Sequence, residues 1–455
     1  MSYAVTVAPI LVSPHEGAVI TIADRNTKLS ALYFDFTALL KSVRNPTERS
    51  LDFLLVAATV YALDKLVARS QSHDGWTRTF EVSIPVADPR KWKEAAGLAN
   101  KCLSFLSGDE WRLSFTKLAS PIIRRRRRKR RSSIPPRYAC GDAACLFSGG
   151  LDSLIGAINW LERNPNERIA LVGHHDPGIG GPLSDQRKLL SALEAAYPSR
   201  ITSTFVGIGH QGKSAEITMR SRSILFVALG LVVADCLGLG TPLLIPENGT
   251  IALNVPLTPA RRGSCSTRTA HPSYLAYLRD WMSAIGIDHP ISNPLVEMTK
   301  GEAVAHCDNL DLLSAIYQHS VSCAKSGHKS TWINRTANGC GRCMPCIYRR
   351  AALHTARLDS EVYGVDFCRG RSNGRIQGLR RQTTSACLSF LLREPSEIEI
   401  AKMLVANGLP LPFEAIRHSG TVIRAMDEIR SLIADKGTSE MKRAAGLARK
   451  RKSAN

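Results

Sequence analysis

The residues best suited to chemistry lie in one short stretch, Leu146 to Ser153, which reads LFSGGLDS. The apolar run before it predicts a buried strand, and the apolar spacing after it predicts a helix. Two adjacent glycines let the backbone approach a bound group closely, and the first N–H groups of a helix favour a phosphate. Ser148 and Ser153 add hydroxyl donors, while Asp152 can cap the helix or help to hold Mg2+. The stretch therefore predicts a phosphate site in a strand–turn–helix element.

The six residues from Ser148 to Ser153 resemble the PP-loop, SGGxDS, of the ATP pyrophosphatase superfamily. This resemblance implies an enzyme that cleaves ATP between its α and β phosphates and uses the AMP to activate a carbonyl or carboxylate. The alternative is a Gly-Ser turn in a Rossmann-like sheet. The sequence has no GxxxxGKS or GxxxxGKT stretch, the signature of the other common phosphate loop.

A second group of reactive residues consists of cysteines. Cys340, Cys343 and Cys346 recur at two-residue intervals in GCGRCMPC, and Cys323 precedes them by 17 residues. Four thiolates can surround a tetrahedral zinc ion, and such a site usually fixes a loop rather than performing chemistry. An iron–sulfur cluster is the rival interpretation, because CxxCxxC also occurs in ferredoxin-type sites. The other eight cysteines are interpreted as small buried or surface residues.

The two groups together resemble the QueC family, the 7-cyano-7-deazaguanine synthases, over residues 138 to 360. An SGGLDS loop followed by SC and CGRCxxC carries the resemblance, and Arg222-Ser223 and the PL…TK pattern from Pro294 to Lys300 agree with it. Leu151 stands where sulfur-transferring PP-loop enzymes usually have lysine. The resemblance implies a PP-loop fold of the adenine nucleotide alpha hydrolase type, with ATP, Mg2+ and Zn2+ as cofactors.

The sequence also departs from the housekeeping family. Ser223 replaces an asparagine, and the segments PENGT at 246–250 and GSCSTRTAHP at 263–272 are unfamiliar there. With the long N-terminal region and the C-terminal extension, the chain resembles the QueC-like proteins of bacterial anti-phage operons, in particular the QatC type of the Qat system. That resemblance implies a partner protein encoded nearby.

The family resemblance implies that a deazapurine carboxylate attacks the α-phosphorus of ATP, and that an amine then displaces AMP. Arg222, Lys300 and Arg268 are the expected cations for phosphate or carboxylate, and His271 is a candidate proton relay. Together with Asp152 they form the predicted catalytic set. The expected nucleotide-binding residues are Ser148, Gly149, Gly150, Leu151, Asp152 and Ser153, with Val172 and Gly173 near the adenine. The expected substrate-binding residues are Glu247, Asn248, Gly249, Thr267 and Arg268.

The sequence does not identify the acceptor of the acyl group. Ammonia would give an amide and, after a second activation, a nitrile; an amine of a partner protein would give a conjugate. Two other classes compete: a PP-loop enzyme that modifies tRNA, and a sensor that binds ATP only to change its assembly.

The positive charge of the chain is concentrated in two segments. The net charge is +21, but 124–131 contains eight consecutive cations and 436–452 carries seven cations against one glutamate. Such runs are most often solvated and flexible, so nucleic-acid binding is open but not favoured. The first run resembles a nuclear localisation signal, which nothing else in the sequence supports. The start of the chain lacks the basic region of a signal peptide, and the most apolar runs are too short to cross a bilayer, which predicts a cytoplasmic protein.

At 455 residues the chain is long enough for two or three domains. We predict an N-terminal α/β domain at 1–120, for scaffolding or partner binding, and a basic, proline-containing linker at 121–137. Alternating strand and helix patterns then predict a doubly wound parallel sheet in a zinc-bearing PP-loop domain at 138–368. A helical C-terminal extension with a basic tail follows at 369–455.

Overall fold

The computed structural model describes most of the chain. The described residues are 2–10, 18–24, 28–119, 138–178, 181–210, 214–216, 218, 220–258, 268–324, 326–369 and 380–447. The predicted linker at 121–137, with its arginine run, lies outside them. The chain forms two compact units. Unit 1 comprises 1–148, 163–246 and 265–294, and unit 2 comprises 149–162, 247–264 and 295–455.

Unit 1 is built on one ten-stranded sheet. Its strands are β1 Ser2–Ile10, β2 Ala18–Asp24, β3 Lys28–Phe34, β4 Thr79–Val86, β5 Glu110–Lys117, β6 Ala143–Leu146, β7 Ile169–His175, β8 Ile201–His210, β9 Leu243–Leu244 and β10 Ile291–Ser292. Its helices are α1 Phe36–Ser42, α2 Glu48–Leu66, α3 Pro89–Glu94, α4 Ala96–Ser107, α6 Pro182–Ala196, α7 Arg222–Leu237 and α9 Pro272–Ile285.

The strand order is β10-β9-β6-β7-β8-β3-β2-β1-β4-β5. The five strands from β10 to β8 are parallel, as the alternating pattern predicted. β3 pairs antiparallel with β8, and β2 and β1 continue the sheet towards the parallel strands β4 and β5. The N-terminal strands therefore extend the parallel sheet and cover its β8 edge, instead of forming a sheet of their own. The two compact units divide the chain at positions that differ from the boundaries of the four predicted domains. Those boundaries stay a prediction.

A buried group of charges ties α2 to the strands beside it. The Arg78 guanidinium donates to both carboxylate oxygens of Asp109, at 3.0 and 2.7 Å, and to Asp64 at 2.6 Å. All three side chains have zero exposure. Burial raises the pKa of Asp64, but the charge of Arg78, the hydrogen bonds from Ser221 and Arg78 and the charge of Arg69 together outweigh burial, and the net shift is downwards. The second oxygen of Asp64 accepts from the Ser221 hydroxyl at 2.7 Å, so the network also fixes the residue that precedes α7.

Replacing Arg78 by leucine is expected to lower the free energy of unfolding by ~3–5 kcal/mol, because the buried carboxylates of Asp64 and Asp109 lose one of the two cations that they share, and only Arg69 remains. Arg112→Leu is the matched control on the same sheet. Arg112 pairs with Glu81 at 3.1 Å, but both side chains are exposed, so this change should cost at most ~1 kcal/mol. Urea unfolding of the two variants measures the difference, and equal losses would contradict the buried network.

Unit 2 is helical. Its helices are α5 Leu151–Arg163, whose last residue belongs to unit 1, α8 Gly249–Leu253, α10 Lys300–Ala305, α11 Leu310–Ile316, α12 Met344–Thr355, α13 Arg380–Arg393, α14 Glu397–Ala406, α15 Pro412–Lys436 and α16 Ser439–Ala444. Side chains of α8, α12, α14 and α15 share one hydrophobic core, which includes Leu253, Ile347, Leu404 and Ile429. In both units, no described helix has the length and apolar character that crossing a membrane requires.

Candidate active site and metal centre

The Gly-rich loop leaves the sheet where the strand ends. The Phe147 N–H donates to the Val172 carbonyl at 2.7 Å, and the Phe147 carbonyl accepts from the buried amide of Gln186 at 3.0 Å. Ser148 then follows as an exposed residue. Val172 and Gly173 lie inside β7, paired with β8. Their predicted role near an adenine stays a prediction.

The turn itself has the conformation that its glycines suggest. Gly149 has φ of 82°, a left-handed value that favours glycine. Helix α5 begins at Leu151, and the Ser153 hydroxyl donates to the Gly150 carbonyl at 2.9 Å. The predicted strand–turn–helix element is confirmed.

Three predicted site residues from distant parts of the chain meet at one carboxylate. Lys300 Nζ lies 2.5 Å from Asp152 Oδ1, and Asn248 Nδ2 donates to Asp152 Oδ2 at 2.9 Å. The Lys300 side chain is 4% exposed and that of Asp152 is 15% exposed. The loop, the Glu247–Gly249 turn and the Lys300 segment thus form one cluster, which we call the Asp152 cluster.

The turn that carries Asn248 is fixed by backbone contacts. Gly249 N–H donates to the carbonyls of Leu295 and Met298, at 3.1 and 2.8 Å. A Cβ atom on Gly249 would lie 2.1 Å from the Val296 carbonyl oxygen, so only glycine allows this approach. Asn248 Oδ1 caps α8 through the Ile251 N–H at 3.2 Å. Both ends of the Asn248 amide are therefore engaged inside the protein, and the substrate-binding role of residues 247–249 stays a prediction.

The C-terminal helix α15 holds the segment that carries Lys300. Glu428 accepts from the Gly301 N–H at 3.2 Å and from the Thr299 hydroxyl. Arg424 Nε lies 2.5 Å from a carboxylate oxygen of Glu302, which also closes a capping box with Thr299. This helix has no site signature in the sequence. The only local signal was an arginine and a glutamate four residues apart, which share one helix face.

Arg222 begins α7 and lies beside a buried histidine. Its Nε donates to His174 Nδ1 at 3.2 Å, and its Nη2 donates to the His174 carbonyl at 3.2 Å. His174 Nε2 then donates to the Ile208 carbonyl at 2.9 Å. Burial, with help from the Arg222 charge, holds the pKa of His174 well below its usual value, so this ring is neutral. Among the described residues, no carboxylate lies within ion-pair distance of Arg222.

A lysine that the sequence analysis missed reaches the end of β7 from the N-terminal region. Lys65 of α2 lies 3.6 Å from Asp176, and both side chains are less than 10% exposed. Tyr61, one helical turn earlier, packs edge-on against the His174 ring with centroids 5.8 Å apart. Residues of the predicted scaffold region therefore build the surroundings of Arg222. Lys65 and Tyr61 lie on a buried helix, and the sequence pattern did not indicate that they lie near Arg222.

Arg268 and His271, two further predicted catalytic residues, both contact Phe105 of α4. The Arg268 guanidinium lies 4.1 Å from the ring centroid and donates to the Phe105 carbonyl. His271 is fully buried and caps α9, since its Nδ1 accepts from the Ser273 N–H at 3.2 Å. Each side chain thus has a structural contact, and their catalytic roles stay predictions. Thr267 lies outside the described residues.

The four cysteines predicted to bind metal converge. The sulfur atoms of Cys323, Cys340, Cys343 and Cys346 all lie within 4.8 Å of one another. Two of the distances, Cys323 to Cys343 and Cys340 to Cys346, are 4.0 and 3.9 Å. Thiolates around one zinc ion stand ~3.8 Å apart, given Zn–S bonds of ~2.3 Å in a tetrahedron. The cluster therefore has the size for a single ion and fits Zn2+.

Metal analysis of the purified protein is expected to find one zinc per chain and no visible absorbance. Cys343→Ser should lose most of this zinc and lower the Tm, because a four-cysteine zinc site stabilises the fold that surrounds it. Cys307→Ser is the control, since Cys307 is buried outside the cluster. Iron, sulfide and a brown colour would contradict the zinc assignment.

Comparison with known proteins gives a family match for part of the chain. Residues 274–357 match the family model described as Queuosine biosynthesis protein QueC. The matched segment contains Lys300 and all four cluster cysteines, whereas the Gly-rich loop lies outside it. No curated protein and no solved structure matches the chain.

The central sheet is mainly parallel, and together with the four-cysteine cluster it fits a zinc-bearing domain of QueC-like type. The family match supports a QueC-like, ATP-using enzyme related to 7-cyano-7-deazaguanine synthesis.

Proposed function

We propose that this protein is a PP-loop enzyme of QueC-like type that adenylates a 7-deazaguanine carboxylate and transfers the acyl group to an amine. The Asp152 cluster is the observation that carries the proposal. It joins the Gly-rich loop to Lys300, a residue inside the segment that matches the QueC model. The proposal includes the doubly wound PP-loop fold and a location in the cytoplasm, where ATP is at hand.

The proposed reaction has two steps. A carboxylate oxygen of the substrate attacks the α-phosphorus of ATP, the bond from that phosphorus to the bridging oxygen breaks, and pyrophosphate leaves. An amine then attacks the acyl carbon, the bond to AMP breaks, and the amine loses a proton to a base. Charge develops on pyrophosphate in the first step, so cations near the loop are the expected source of stabilisation.

The described residues offer such groups. Lys300 brings a buried cation to Asp152, and the N–H groups at the start of α5 favour a phosphate. Mg2+ bound near the loop would neutralise the phosphates, and Asp152 is the carboxylate in the loop that would help to hold it. Arg222, which has no carboxylate within ion-pair distance among the described residues, is suited to an anionic ligand.

For the acceptor we propose an amine of a partner protein, in the setting of bacterial anti-phage defence. The departures at 246–250 and 263–272 and the long N-terminal region support this acceptor. The second candidate is ammonia, which would make the protein a 7-cyano-7-deazaguanine synthase. The match to the QueC model favours this second candidate.

The test is incubation with ATP, Mg2+ and 7-carboxy-7-deazaguanine, with either ammonium or the product of a neighbouring gene as acceptor. Pyrophosphate release that requires the carboxylate is expected, together with a mass increase of the partner protein by one acyl group. Free nitrile with an unchanged partner mass would establish the ammonia reaction instead. ATP binding without pyrophosphate release under any of these conditions would overturn the proposed function.

A further inference from the structure

Unit 2 contains a cavity beside the cysteine cluster, with a volume of about 290 Å³. Its walls come from three segments, 318–323, 334–339 and 360–363, and from Cys346 and Arg349 of α12. Small-molecule sites are concave, with a few fixed polar groups and volumes from ~300 Å³ upwards. This cavity lies just below that range and suits a ligand of one or two rings.

The cavity has two walls of interest. Cys323 and Cys346, which belong to the cluster, line one side. Val321 lines another, and its N–H donates to the Gly149 carbonyl at 2.9 Å. A ligand in the cavity would therefore lie beside Val321, which is hydrogen-bonded to Gly149 of the Gly-rich loop. A metal ion held by the cysteines would fix the wall that carries this bond.

The polar groups of the cavity are held in place by Arg349, which is 4% exposed. Its Nε and Nη2 donate to the two oxygens of Glu361, at 2.8 and 2.5 Å. Its Nη1 donates to the hydroxyls of Ser320 and Ser322, at 2.8 and 3.3 Å. These contacts fix a carboxylate and two hydroxyl groups before any ligand arrives, which is the arrangement that a specific site requires.

Glu361 keeps one acceptor position. A carboxylate offers about four lone-pair sites. Arg349 occupies one on each oxygen, and the Tyr363 hydroxyl occupies a second on Oε2 at 3.0 Å. The remaining site is on Oε1. A fixed carboxylate oxygen of this kind accepts from the ring N–H or amino group of a guanine-like heterocycle, whereas it repels a phosphate.

In the Asp152 cluster, both ends of the Asn248 amide are engaged inside the protein. We propose that the cavity beside the cysteine cluster binds the heterocycle of the carboxylate substrate, with Glu361 as acceptor for its N–H edge. The assignment rests on the proposed function and adds to it a substrate site apart from the nucleotide loop. The metal then acts on substrate affinity through the cavity wall.

The test places a bulky side chain at the cavity. Thr336 and Asn338 line it and are exposed, whereas the exposed Arg335 does not line it. Thr336→Trp and Asn338→Trp are therefore the blocking variants, with Arg335→Trp as the matched control. The full-length protein is titrated calorimetrically with 7-carboxy-7-deazaguanine, and KM is measured separately for the carboxylate and for ATP. Zinc content and Tm show whether each variant is folded.

Both blocking variants are expected to raise the Kd or KM for the carboxylate at least tenfold and to leave the KM for ATP unchanged. Arg335→Trp should behave as the wild type. If the wild type releases pyrophosphate and the blocking variants match Arg335→Trp, the cavity assignment alone is overturned. If the wild type neither binds nor activates the carboxylate, the proposed function fails, and the assignment fails with it.

Discussion

Replacing Lys300 by methionine is expected to lower the kcat of pyrophosphate release by ~10²- to 10³-fold, the usual loss when one preorganised charge-stabilising group is removed. Lys300 is buried, and its ammonium group is bound to Asp152 of the Gly-rich loop. Methionine keeps the length of the side chain but removes the cation. Single-turnover pyrophosphate release at saturating ATP measures the effect.

A structural role for Lys300 would give a different pattern. If Lys300 serves only to neutralise Asp152, Lys300→Met should lower the Tm, the double variant Lys300→Met with Asp152→Asn should recover it because no unpaired carboxylate is left, and the kcat of Lys300→Met well below its Tm should stay close to that of the wild type. If Lys300 stabilises charge in the reaction, Lys300→Met should stay slow at that temperature. The Tm of each variant separates loss of stability from loss of catalysis.

Replacing Glu428 by glutamine is expected to change how stability depends on pH. Burial raises the pKa of Glu428 to about 7, although the Thr299 hydroxyl lowers it in part. Because its pKa is raised, the folded state binds the proton more tightly than the unfolded state does. The wild type therefore loses stability as pH rises from about 5 to about 8, by up to roughly 3 kcal/mol from this residue. The glutamine variant should lack this part of the loss.

The measurement is urea unfolding of the two proteins at pH 5 and pH 8. Asp427→Asn is the matched control, because Asp427 is the exposed neighbour on the same helix. It should keep the pH dependence of the wild type. Equal losses of unfolding free energy in the wild type and in Glu428→Gln between these pH values would contradict the prediction that Glu428 titrates near neutrality. Glu428 also fixes the helix that carries Lys300, so Glu428→Ala should lower kcat as well.

Most helices and strands whose residue pattern has a clear period were predictable from the sequence. The parallel strands β6 and β7 are short apolar runs, and α7 is a long apolar stretch. β2 and β3 were missed, although they join the two parallel halves of the sheet. The pairing of β3 with β8 depends on a partner strand more than 160 residues away in the chain. Local sequence patterns carry no information about such partners.

The amino-acid sequence by itself determined the chemistry-bearing groups. The glycine spacing defined the loop, and the cysteine spacing defined a cluster whose four sulfur atoms do converge. The tertiary structure alone decided how these groups are used. It pairs Lys300 with Asp152, engages the amide of Asn248, and brings Glu428 and Lys65 into contact with site segments. Spacing along the chain fixes only groups a few residues apart, whereas contacts between distant side chains follow from the packing of the elements that carry them.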